Sequence, residues 1–260
     1  MVRTVTAIRY IVPLREGGSL PAVVQADDGE MYVMKFIGAG QGRKALIAEL
    51  LAGDIGRHLG LNVPEIVIME MSPTLGRSEP NPDIQDLLRA SAGLNLGMRF
   101  LQSAFAYNSL RRPAPDPDLA SSIVWFDALI TNVDRTDRNV NMLLWEDELW
   151  LIDHGASLYV HHDWTDYVER SRSSFPYSRQ HTLLRYASRL PQAETRLAPL
   201  LNAAAIRSFV DEIPAQWLEG ETAFADVAAH RAAYTEYLLG RLAASPAFTE
   251  EAVRARTHVV

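Results

Sequence analysis

The chain has 260 residues, 48% of them apolar and 22% charged, which is ordinary globular usage and excludes disorder, collagen and coiled coil. It holds no cysteine, so a disulfide framework, an iron–sulfur site and a cysteine nucleophile are ruled out together. A net charge of -7 argues against a protein built to grip nucleic acid or an anionic membrane. Arg3 and Arg9 interrupt the first apolar stretch, which therefore does not read as a signal peptide, and no run of about 18 apolar residues marks a membrane span. The expectation is a soluble, cytoplasmic protein.

In chain order, residues 6–14 and 21–26 are short β-rich runs joined across Gly17-Gly18-Ser19. A turn at Asp27-Asp28-Gly29 leads into a third run, residues 31–36, which makes an antiparallel meander. The glycines at 38, 40 and 42 break the chain before a helix over 43–59, closed by Gly60 and followed by Pro64. Residues 67–69 read as a strand, 72–83 as a polar loop, and 93–106 as a return to the sheet. The proline-dense stretch 111–118 is the natural boundary. Beyond it come a helix over 119–130, a hairpin from Met142–Trp145 and Leu149–Ile152, and helical windows from about 180 to 256. The pattern implies an α+β chain in two lobes, residues 1–110 with an antiparallel sheet and one helix, and residues 111–260, mainly helical.

The informative segment lies between that helix and the hairpin. Phosphoryl transfer needs an aspartate to take the proton of the attacking hydroxyl, an asparagine to hold a metal, and a second aspartate to hold metal between the phosphates. Asp134 and Asn139 are five positions apart, as in a kinase catalytic loop, and Asp153 follows the hairpin and precedes Gly155 by two. A polar loop punctuated by Asp and Asn is the plain alternative. An EF-hand fails, because its sixth position would be Asn139 rather than glycine. Lys35 ends an apolar strand, where a nucleotide kinase places the lysine that pairs with phosphates. Glu49, beside Ala45, Ala48 and Ala52 and off the face formed by Leu46, Ile47, Leu50, Leu51 and Ile55, is either its partner or a solvated glutamate. Gly17, Gly18 and Ser19 occupy the place of a phosphate-covering turn or of an ordinary hairpin. The glycines at 38–42 do not form a dinucleotide fingerprint, because its third glycine would fall at Arg43.

Taken together, these stretches resemble the HipA-like kinases, in particular the compact bacterial branch. The matching residues are Gly17 to Pro21, Tyr32 to Phe36, Glu49 to Ala52, Leu59 to Glu65, Phe126 to Arg135, Asn139 to Leu143 and Leu151 to Gly155. More distantly, the loop is similar to that of type II phosphatidylinositol 4-kinases. The resemblance implies a protein-kinase-like fold and ATP- and Mg²⁺-dependent phosphoryl transfer to a serine or threonine of a protein substrate. It implies Asp134 as catalytic base, Asn139 and Asp153 as metal ligands and Lys35 as phosphate anchor, with Asn141 competing with Asn139. His154 and Asn132 depart from the eukaryotic pattern, which has phenylalanine and histidine there. A small-molecule or lipid kinase, and a non-catalytic nucleotide-binding regulator, remain as alternatives. Nucleic acid and membrane are not expected partners.

Overall fold

The computed structural model describes residues 2–14, 20–40, 42–75, 79–110 and 113–259. Strands β1 (Thr4–Pro13), β2 (Ala22–Ala26) and β3 (Met31–Lys35) form the antiparallel meander read from the sequence. Gly29 takes φ +86° in its second turn, a conformation that costs a residue without Cβ little. Gly17, Gly18 and Ser19 lie outside the described residues, as do Arg111 and Arg112 at the expected lobe boundary. Strands β4 (Ile66–Met71) and β5 (Gly93–Arg99) complete the order β1-β2-β3-β5-β4. β4 also pairs in parallel with β1, from Thr4 opposite Ile68 to Ala7 opposite Met71. That ladder closes the sheet into a barrel, filled by Val5, Val24, Tyr32, Met34, Val67 and Met69 among others.

Helix α1 (Gly42–His58) packs on the outside of this barrel. Its C-terminus is closed by Gly60 at φ +78°, with the Leu61 N–H returning to the Gly56 carbonyl at 2.9 Å. Helix α2 (Pro82–Ala90) begins inside the stretch read as loop. Asn81 caps it, accepting from the Asp83 and Ile84 amides at 2.9 and 3.4 Å, and Pro82 sits in its first turn. After β5 the chain crosses to a second sheet, where β6 (Phe105–Ala106) pairs with β7 (Met142–Trp145), and β7 with β8 (Glu148–Leu151).

Helix α3 (Pro117–Leu129) starts at Asp116, whose carboxylate accepts from the Asp118 and Leu119 amides. Among the described residues the remaining α-helices are α4 (Tyr167–Ser171), α5 (Leu190–Leu197), α6 (Ala203–Asp211), α7 (Ala215–Leu218), α8 (Val227–Ala243) and α9 (Ser245–Arg256). One apolar core runs from α1 through α3 and the hairpin into these helices. α1 is the bridge between the lobes. A Cβ at Gly56 would meet Phe126 of α3 at 3.3 Å, so glycine there lets the two helices approach closely.

Candidate active site

Strand alternation sends Tyr32 and Met34 into the barrel and Lys35 to the opposite face, toward α1. There its ammonium pairs with Glu49 of α1 and, at 2.6 Å, with Asp153, which follows β8. Glu49 is fully buried, because α1 packs against the barrel on one side and against α6 and α7 on another. The solvated alternative for Glu49 is thereby excluded. Burial alone would lower the Lys35 ammonium, but Glu49 and then Asp153 outweigh it and hold Lys35 above the ordinary lysine range. Burial would likewise raise the Glu49 carboxyl, but Lys35 and then His154 hold it well below the carboxylate range. His154 is buried edge-on against Phe126, with Nδ1 3.6 Å from the second Glu49 oxygen.

The loop from Asn132 to Asn141 hangs between α3 and β7. Asn132 is buried, and its side-chain oxygen accepts from the Asp134 backbone N–H at 3.0 Å. The Asp134 carboxylate accepts from the Asn139 amide at 2.6 Å and the Asn141 amide at 3.4 Å. Asn141 also donates toward the backbone oxygens of Asp134 and Asp153, each at 3.4 Å. Asn141 and Asp153 both sit in the left-handed region, at φ +48° and +55°. Non-glycine residues held there store strain, which persists only where surrounding structure enforces it.

Lys35, Glu49, Asp134, Asn139 and Asp153, named from the sequence, thus fall into two contacting groups joined through Asn141 and Asp153. Two residues without a role in the sequence reading, Asp127 and His181, hold the loop from beneath through Asn132 and Arg135. Asp127 stands alone among apolar residues between Ile123 and Ile130, and a lone carboxylate on a buried helix face is the signal of a paired charge. The oxygen donors gathered at this site suit Mg²⁺. Asp153, whose side chain is 49% exposed, offers hard carboxylate oxygens, and the Asn139 and Asn141 side chains beside Asp134 carry amide oxygens of the same kind. Among the described residues no cluster of three His, Asp or Glu side chains gathers to hold a metal, and Mg²⁺ is commonly held by one or two carboxylates together with substrate phosphates.

The HipA-like kinase family matches residues 8–251, whereas curated protein sequences give no match. Among solved structures, the proinflammatory kinase CtkA of Helicobacter pylori aligns over 100% of both chains, with a TM-score of 0.60 at 13% identity. The Golgi casein kinase aligns over 96% of this chain and 72% of its own, with a TM-score of 0.51 at 13% identity. Its Mn/ADP-bound form aligns over 96% and 73%, with a TM-score of 0.50 at 13% identity. At such identities the likeness is one of fold, and that fold is the two-lobed α+β arrangement described above. The family match covers nearly the whole chain, including every strand and helix that carries the site, and the chain belongs to the HipA-like kinase family.

Proposed function

We propose that this kinase transfers the γ-phosphoryl group of ATP, with Mg²⁺, to a serine or threonine hydroxyl of a protein. The observation that carries the reading is the bridge from Lys35 to both Glu49 and Asp153, across the cleft from an Asp134 carboxylate held by asparagine amides. Lys35, aimed by Glu49, anchors the α- and β-phosphates. Asp134 orients the acceptor hydroxyl and takes its proton as the new oxygen–phosphorus bond forms and the bond to the departing ADP breaks. Mg²⁺ supplies charge neutralisation on the phosphates. Asp153 is one of its ligands. Asn141 would be the second in our reading, since its amide N–H group donates toward the backbone oxygens of Asp134 and Asp153 and Oδ1 is the atom of that amide able to bind a cation. Asn139 then steadies the base. Gly17, Gly18 and Ser19 cover the phosphates in the same scheme.

The solved Golgi casein kinase with Mn/ADP supports nucleotide and divalent-metal use by analogy of fold. The net charge of -7 favours a protein hydroxyl over one at an anionic bilayer. The test is mass spectrometry of the protein and candidate substrates after incubation with Mg-ATP. Phosphoserine or phosphothreonine is the expected product, and Asp134→Ala should lower turnover by about 10²–10⁴-fold, the range for losing a general base. Unchanged turnover in Asp134→Ala sinks the assignment.

A further inference from the structure

Beneath the catalytic loop lies a buried polar hub that the scheme above does not use. Asp127 of α3 is 1% exposed, and four donors converge on its carboxylate. They are Arg135 Nε at 2.6 Å, a second Arg135 nitrogen at 3.4 Å, the Asn132 amide at 3.0 Å and His181 Nε2 at 2.8 Å. The tautomer of His181 follows from its other contact. Its Nδ1 accepts the Leu183 N–H at 3.0 Å, so Nε2 carries the hydrogen and donates to Asp127. The buried Arg135 guanidinium and the Asp127 carboxylate neutralise each other.

Each partner of Asp127 leads to a residue of the proposed chemistry. Asn132 receives the backbone N–H of Asp134. Arg135 directs its remaining guanidinium nitrogen to the carbonyls of Asn141 and Ile152, the latter at 3.5 Å. These carbonyls belong to one proposed metal ligand and to the neighbour of the other. His181 ties in the segment that follows Asp153: its backbone bridges to Thr136, the Thr182 N–H donates to the Arg135 carbonyl at 3.2 Å, and the Thr182 hydroxyl donates to Asp137 at 2.7 Å.

We propose that Asp127 and His181 are positioning residues that set the catalytic loop in its working shape from inside the chain. The inference rests on the kinase reading above. Because the chain's own groups occupy Arg135, the loop is set without a phosphate added to the segment after Asp153. Loss of the His181 donor frees one edge of the carboxylate and lets Asn132 and Arg135 move, which shifts the base and ligands by fractions of an ångström without removing any of them. Such a shift acts on the reacting geometry more than on nucleotide affinity, and a misplacement of about 1 Å costs about 100-fold in rate.

The experiment compares wild type, His181→Ala and His181→Gln, with folded protein counted by Mg-ADP binding in calorimetry. His181→Ala should lower kcat by about 10- to 100-fold while KM for ATP and Mg-ADP affinity stay near wild type. His181→Gln restores an N–H donor at the Nε2 position and should recover most of the loss. A His181→Ala protein that binds Mg-ADP and turns over at the wild-type kcat overturns the inference, as does a His181→Gln variant no better than His181→Ala. Wild type treated with phosphatase should keep its kcat, and loss of activity on that treatment overturns the claim that the loop needs no added charge. A wild type that consumes no ATP sinks the kinase reading itself and this inference with it, an outcome distinct from a failure of the inference alone.

Discussion

Glu49→Gln removes the charge that holds Lys35 on α1 and leaves the shape of the side chain. Breaking a buried ion pair by removing one partner costs about 3–5 kcal/mol. Here Lys35 keeps Asp153, and a half-exposed partner of that kind returns up to about 1 kcal/mol, so a net loss near 3 kcal/mol is expected. For a chain of this size that corresponds to a fall of about 6–12 °C in the melting midpoint. The redistribution also reaches function. With Glu49 neutral, the ammonium pairs with Asp153 alone and competes harder with the metal. About 1 kcal/mol of extra competition raises the Mg²⁺ concentration for half-maximal turnover roughly fivefold. The folded Glu49 carboxyl titrates below its unfolded value, so its contribution is present above about pH 4.3 and lost as pH falls through the folded value. The Lys35 ammonium titrates above its unfolded value, so its contribution is present below about pH 10.4 and lost as pH rises through the folded value. Between about pH 6 and 9 both stay charged, and the difference in melting midpoint should be flat across that window. Calorimetric melts and Mg²⁺ titrations of turnover read both effects. A Glu49→Gln protein that melts within about 2 °C of wild type, with an unchanged Mg²⁺ requirement, would refute the view that Glu49 holds Lys35 away from the metal position.

Asn141→Ala should raise the Mg²⁺ requirement for ADP binding about tenfold, the loss of a charge-assisted contact worth about 1.4 kcal/mol, while Asn139→Ala lowers kcat and leaves that requirement alone; calorimetry at varied Mg²⁺ separates them. His161, His162 and His230 are held below the ordinary histidine range, by burial first and then by neighbouring positive charge at Lys44 and, for His161, at the other two rings. The unfolded chain therefore takes up protons first as pH falls below about 6.5. The melting midpoint should drop between about pH 7.5 and 5.5, and His161→Phe should flatten that slope. Gly240→Ala places a Cβ 2.0 Å from Ser171 Oγ and 2.7 Å from its Cβ. Overpacking where α8 meets α4 should cost about 1–3 kcal/mol in a denaturant titration, with turnover of the folded protein unchanged.

Strands β1 to β5, α1, α3 and the β7–β8 hairpin were legible because their signals are local: alternation, turn residues and a closing glycine; β6, read as part of the return to the first sheet, instead pairs with β7 in the second. What escaped depended on contacts distant in sequence. The parallel ladder between β1 and β4 leaves no hairpin turn to mark it, since parallel neighbours need a long crossover. Helix α2 was legible in principle. Asn81-Pro82-Asp83 is a cap followed by a first-turn proline, but its prolines and polar residues weigh equally as loop composition. Glu49 shows the limit of a helical wheel. Its apolar face was identified correctly, yet α1 is buried on nearly every side, and burial on the far side comes from helices more than 150 residues downstream.

The asparagine is the instructive case. Counting five positions from Asp134 gives Asn139, on the assumption that the loop spends one residue per step toward the hairpin. Here Thr136 and Asn139 exchange backbone hydrogen bonds at 2.9 and 3.2 Å, so the loop folds back on itself and absorbs length before it reaches β7. The residue that enters β7 is Asn141, immediately before Met142, and the β7–β8 hairpin is the element that also delivers Asp153. Two ligands of one ion must be fixed relative to each other, and rigid elements fix side chains better than loop length does. On the proposed assignment, distance counted back from β7 marks the metal ligand, while distance counted within the loop marks the residue that touches Asp134. The proposal of Asn141 over Asn139 rests on that distinction. Arg135 also reaches the Asn141 carbonyl, so in the proposed scheme its guanidinium fastens the loop where it joins the hairpin and would couple the proposed base to the proposed ligand.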